Sequence, residues 1–90
     1  MYTLTYTNQY HKSVKLCKRR GYDMGLLEEV LSILVETGHL PPKYKPHKLS
    51  GIYQNCWECH IQPDWLLIWE QNNNELLLLL LDTGTHSDLF

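Results

Sequence analysis

Six consecutive leucines, Leu76–Leu81, constrain this 90-residue chain more than any other stretch. The run falls far short of the roughly 20 apolar residues a helix needs to cross a bilayer. It must therefore be buried in a globule. The simplest form is a β-strand covered on both faces, or on one face with a partner covering the other. A chain of this length predicts one domain, residues 1–90, that buries roughly 60–65% of its unfolded surface. The core is then thin, with little room for a deep cavity. Function is expected in a surface cleft or on a flat interaction face.

The remaining patterns say what surrounds that strand. Tyr2–Thr7 (YTLTYT) alternates Tyr2, Leu4 and Tyr6 against three threonines, as a half-buried strand does. Asn8 then reads as an N-cap. Gln9–Arg20 reads as a helix with Tyr10, Val14 and Cys17 facing inward, ended by Gly21. Asp23 caps a second helix, Met24–Thr37, with Leu27, Val30, Leu31 and Leu34 as its apolar stripe and Gly38 as its stop. The three prolines of His39–Ser50 predict a loop. Strands are expected at about Tyr53–Ile61, Trp65–Glu70 and Glu75–Thr83, the last two joined by a turn at Gln71–Asn74. The order β-α-α-β-β-β predicts an α+β domain with two helices packed against an antiparallel sheet.

Charge is divided along the chain. Residues 1–48 hold all eight Lys and Arg and only four acids, whereas residues 49–90 hold six acids and no Lys or Arg. The basic half is suited to a polyanion, or the two faces simply complement each other. The N-terminus lacks the basic-then-apolar plan of a signal peptide, which predicts a cytoplasmic chain whose three cysteines remain thiols.

One short motif is tempting. CWECH, Cys56–His60, matches the attachment signature of c-type haem and contains a CxxC pair. On a strand, Cys56 and Cys59 point to opposite faces, with Cα atoms about 10 Å apart. That is too far for a disulfide. No second Cys pair completes a structural zinc site. No metal, haem or other cofactor is therefore expected.

Four residues of the second half suggest chemistry: His47, His60, Asp64 and His86. Singly, each has an ordinary explanation as a solvated loop histidine, a strand-edge histidine or a turn-shaping aspartate after Pro63. Together they flank strand ends, and their convergence depends on the sheet order. Several imidazoles and a carboxylate suit metal-free general acid–base catalysis. RNA cleavage needs a base for the 2′-OH, an acid for the 5′-oxygen and positive charge near the phosphate.

The blocks HKLSG (His47–Gly51), CHIQPDWLLIW (Cys59–Trp69) and TGTHSDLF (Thr83–Phe90) resemble the YafQ-like branch of the RelE toxin superfamily. The resemblance extends over nearly the whole chain. It implies a RelE-like fold and a ribosome-dependent mRNA endonuclease neutralised by a cognate antitoxin, often in a toxin–antitoxin heterotetramer. It implies active-site roles for His47, His60, Asp64 and His86; His86, delivered to the site by the last strand, is expected to be the principal proton-transfer residue. It also implies that Trp65 and Phe90 shape the RNA site, where an aromatic ring can stack on a base. Leu89 and Phe90 would then anchor the tail. Lys15, Lys18 and Arg19 on the first helix, and Lys43, Lys45 and Lys48 in the loop, are the basic candidates for contacts with RNA.

The chain departs from that pattern at two places. Arginines usual in the family are Asp82 and Trp57 here. Losing one donor to a developing charge costs on the order of 100- to 1000-fold in rate. Loop lysines or protonated histidines could compensate. Otherwise the fold would serve mainly as a module for binding antitoxin and ribosome.

Overall fold

The computed structural model describes residues 1–53 and 55–90. Strand β1 (Thr3–Tyr6) leads into helix α1 (Asn8–Arg19) and helix α2 (Met24–Thr37). Strands β2 (His47–Lys48), β3 (Cys56–Gln62), β4 (Trp65–Asn72) and β5 (Leu77–Gly84) follow, and a short helix α3 (His86–Leu89) closes the chain. The five strands form one sheet in the order β1-β5-β4-β3-β2.

The sheet is mixed rather than antiparallel. β1 runs parallel to β5, pairing Thr3–Tyr6 with Leu77–Leu80, while the other neighbours are antiparallel. The long connection through both helices makes this possible, because parallel neighbours need a crossover.

Thr7, not Asn8, caps α1: its hydroxyl accepts from Tyr10 N–H at 3.0 Å and donates to the Leu81 carbonyl at 2.8 Å. One side chain thus starts the helix and ties it to β5. Asp23 caps α2 through Gly25 N–H, and Gly38 ends it at φ 72°. Gly38 is required twice over. Its φ is left-handed, and a Cβ there would lie 2.5 Å from the Tyr2 ring.

The leucine run is divided among several environments. Leu76 lies in the turn at φ 56°, because Asn72 Oδ1 accepts from the backbone N–H of Asn74 and Glu75 and moves the turn two residues beyond the expected place. Leu78 and Leu80 are fully buried against the helices, whereas Leu77 is 38% exposed. The strand covered on both faces is β4, whose Trp65–Trp69 are all buried. The loop after α2 is also more ordered than its prolines suggest. A 3-10 turn at Pro42–Tyr44 precedes β2, which fits in the gap after Pro46.

The helix-side core joins Tyr10, Cys17, Leu27, Val30 and Leu34 to Cys59, Trp65, Leu67, Trp69, Leu78 and Leu80. Strand alternation puts Cys56, Glu58 and His60 on the opposite face of β3. Cys59 belongs to the helix-side core and Cys56 does not, as alternation required, and all three cysteines are free. Burial pushes the Cys59 thiol up to about 12. Among the described residues no helix is long and apolar enough to cross a membrane.

Candidate active site

Sheet order decides whether the four chemical residues meet, and they do. β2 pairs with β3 so that His47 stands opposite Glu58, two residues before His60 on the same face. The tight turn after β3 carries Asp64. β5, beside β4, ends at Gly84 and passes to Thr85 and α3, which opens with His86. The imidazole centroids of His47 and His60 lie 6.4 Å apart, and those of His60 and His86 5.8 Å apart.

Each ring is oriented by its Nδ1. Asp64 Oδ1 accepts from His86 Nδ1–H at 2.7 Å and from the His86 backbone N–H at 3.0 Å. Pro63 O accepts from His60 Nδ1–H at 3.1 Å, and Lys45 O from His47 Nδ1–H at 2.9 Å. Carbonyl and carboxylate oxygens only accept, so each Nδ1 carries a proton. Among the described residues nothing engages the Nε2 of His60 or His86, which leaves it for proton transfer. The Nε2 of His47 instead lies 3.2 Å from Glu58 Oε1. Glu58 is only 5% exposed, and a buried carboxylate calls for a positive partner. The two hydrogen bonds from His86, the backbone one first, hold the Asp64 carboxyl below the usual carboxylate range.

The other candidate residues occupy three places. Lys43 and Lys45 line a concavity of about 230 Å3 together with His60, Gln62 and Pro63. Lys48 sits 5.8 Å from the Trp57 ring, paired with it across β2 and β3. Lys15, Lys18 and Arg19 do not reach the histidines; with Lys12 they line a groove of their own along α1. Trp65 is 1% exposed, which leaves no free face for a base. Its indole N–H donates to Thr83 Oγ1 at 2.9 Å and its ring meets Tyr22 at 4.9 Å, so it belongs to the helix-side core. Phe90 is 63% exposed and lies edge-on to Tyr53 at 5.6 Å. It does not anchor the tail. Asp88 does, through Arg20.

Both atypical positions are absorbed by the scaffold. Asp82 bonds the Ser13 hydroxyl on α1 and the Thr83 N–H. Trp57 stacks on Trp69 at 6.3 Å. Glu58 and Arg20 are additions to the residues singled out in the sequence. Glu58 was legible, two residues before His60 on an alternating strand. The partnership of Arg20 with a residue 68 positions away was not. Among the described residues no group of three His, Cys, Asp or Glu is arranged to hold a metal ion.

Residues 2–90 match the family described as "Bacterial toxin of type II toxin-antitoxin system, YafQ". The chain is 39% identical over 88 residues to the mRNA interferase toxin YafQ of Escherichia coli K12, covering 97% of this chain and 94% of that protein. It superposes with a TM-score of 0.91 on YafQ in the E. coli DinJ–YafQ complex, at 34% identity, covering 100% of this chain and 99% of that one. A metal-bound toxin from Helicobacter pylori gives a TM-score of 0.90 at 37% identity over the whole of both chains.

Proposed function

The chain belongs to the YafQ family of bacterial type II toxins, and from that premise we propose that it is an mRNA endonuclease acting on the ribosome by metal-independent acid–base chemistry. One domain, residues 1–90, carries the activity in the cytoplasm. A cognate antitoxin neutralises it in a toxin–antitoxin heterotetramer; the E. coli relative is found in a DinJ–YafQ toxin–antitoxin complex.

The observation that carries this reading is the His60–His86 pair. Two imidazoles 5.8 Å apart each have Nδ1 engaged and, among the described residues, Nε2 without a partner. A carboxylate against Nδ1 stabilises a positive imidazolium, and a neutral carbonyl does so far less. His86, backed by Asp64, is therefore the proton donor, and His60, backed by the Pro63 carbonyl, is the base. The base takes the 2′-OH proton, O2′ bonds to phosphorus, the P–O5′ bond breaks, and His86 protonates O5′. The products are a 2′,3′-cyclic phosphate and a 5′-OH. His47, paired with Glu58, lines the site beside His60. Lys43 and Lys45 contribute charge from beside His60, where no arginine does. Phe90 offers an exposed ring for stacking, and Lys15, Lys18, Arg19 and Lys48 supply charge to ribosomal RNA or message.

A second reading has a specific motive. The usual arginine positions hold Asp82 and Trp57, both tied into the scaffold. The protein would then act chiefly by binding antitoxin and ribosome, with weak cleavage. Primer extension on programmed ribosomes separates the two. Cuts in the A-site codon that vanish in His86→Ala support the nuclease; parent protein that binds ribosomes without cutting supports the second reading.

A further inference from the structure

We propose that Arg20 is a positioning residue for His86, acting through Asp88. The guanidinium grips the Asp88 carboxylate with two bonds, Nη1 to Oδ2 at 2.6 Å and Nη2 to Oδ1 at 3.1 Å. The same Oδ2 accepts from the Thr85 N–H at 2.9 Å, and the Thr85 hydroxyl accepts from the Asp88 N–H at 3.1 Å. This capping box fixes the peptide immediately before His86. The chain of contacts runs from the C-cap of α1 to the catalytic tail, across 68 residues of sequence.

The tail needs such a clamp. α3 has four residues, too few to hold a helical turn by backbone bonding alone. Phe90 is largely exposed, so apolar anchoring is slight. Gly84 lets the Asp88 side chain fold back over it, since a Cβ there would lie 2.8 Å from Asp88 Oδ2. Arg20 and Asp88 are partly exposed, at 36% and 26%, and pairs of that exposure contribute little to global stability. The bidentate geometry gives direction instead. Its loss lets α3 swing, and the hydrogen bonds from His86 to Asp64 go with it.

The inference rests on His86 being the proton donor, but its test does not require RNA cleavage. The ring nitrogens of His86 are followed by NMR in parent, Arg20→Gln and Arg20→Lys. With the imidazole in its neutral form, Arg20→Gln is expected to lose the single Nδ1–H tautomer, and Arg20→Lys to recover part of it. Single-turnover cleavage on ribosomes is expected to fall about 10- to 100-fold in Arg20→Gln, the scale of a small misplacement. Half-saturation is expected to stay within about twofold. If Arg20→Gln does not fold, Asp88→Asn replaces it, keeping an oxygen for the Thr85 N–H while removing the charge. A His86 ring spectrum identical to the parent in the folded variant overturns the proposal. If the parent cuts no RNA while Arg20→Gln scrambles the tautomer, the clamp stands and the nuclease reading fails.

Discussion

Asp64 holds His86 at two points with one oxygen, through the backbone N–H at 3.0 Å and ring Nδ1 at 2.7 Å. A single carboxylate thus fixes both where α3 begins and how its imidazole is turned. Asp64→Asn keeps the shape but can present an amide N–H to the ring and favour the wrong tautomer. The measured counterpart in serine proteases is a loss of about 10,000-fold. For this more exposed pair, a loss of at least about 100-fold in single-turnover cleavage is expected, with ribosome binding unchanged. A variant as fast as the parent contradicts the role given to Asp64.

Acid should release the tail late. The Asp64 carboxyl is lowered by its two bonds from His86, and the Asp88 carboxyl is lowered by Arg20 and then by the Thr85 N–H. A carboxyl whose pKa is depressed on folding stabilises the folded state fully above its unfolded value, about pH 4, and loses that contribution as pH falls through the lower folded value. The backbone signals of residues 85–90 should therefore keep their docked positions at pH 5 and shift only below about pH 4. Tail signals that turn disordered by pH 5, with the core intact, contradict the assignment.

Glu58 and His47 should behave as one unit. Glu58→Gln and His47→Gln are each expected to slow cleavage about 10- to 100-fold, and the double variant no more than the worse single, because groups acting together are not additive. Full additivity in the cycle shows that the buried carboxylate does not act through His47.

Trp65 and Phe90 make opposite predictions. Trp65→Ala should cost about 3–5 kcal/mol of stability, as a large core truncation does. Phe90→Ala should change stability by less than about 0.5 kcal/mol, as an exposed substitution does, while weakening cleavage on ribosomes. Chemical denaturation of both variants, paired with cleavage rates, checks the division between core and stacking surface.

Much of this was legible in the sequence because local patterns carried it. The alternation in CWECHIQ placed Cys56 and Cys59 on opposite faces, and with them Glu58 and His60 on one face. The helices followed from Asp23, Gly38 and their apolar stripes. Convergence of His47, Asp64 and His86 was not legible, because it depends on β2 closing one edge of the sheet and β5 lying beside β4. The parallel pairing of β1 likewise reflects long-range packing that no window of sequence contains. The fates of Trp65 and Phe90 were hidden for another reason: an aromatic beside a site reads alike whether its ring is core or stacking face. The capping box in Thr85–Asp88 was readable by spacing, but its partner on α1 was not.

The central claim is that His86 donates the proton to the leaving oxygen while His60 accepts one. It is tested most directly with message carrying sulfur in place of the 5′-oxygen at the scissile bond. A thiolate leaves without protonation, so the donor becomes dispensable while the base does not. Single-turnover cleavage by His86→Gln should return to within about tenfold of the parent on this substrate, and His60→Gln should stay slow. If sulfur rescues His60→Gln instead, or neither variant, the assignment of the two histidines is wrong.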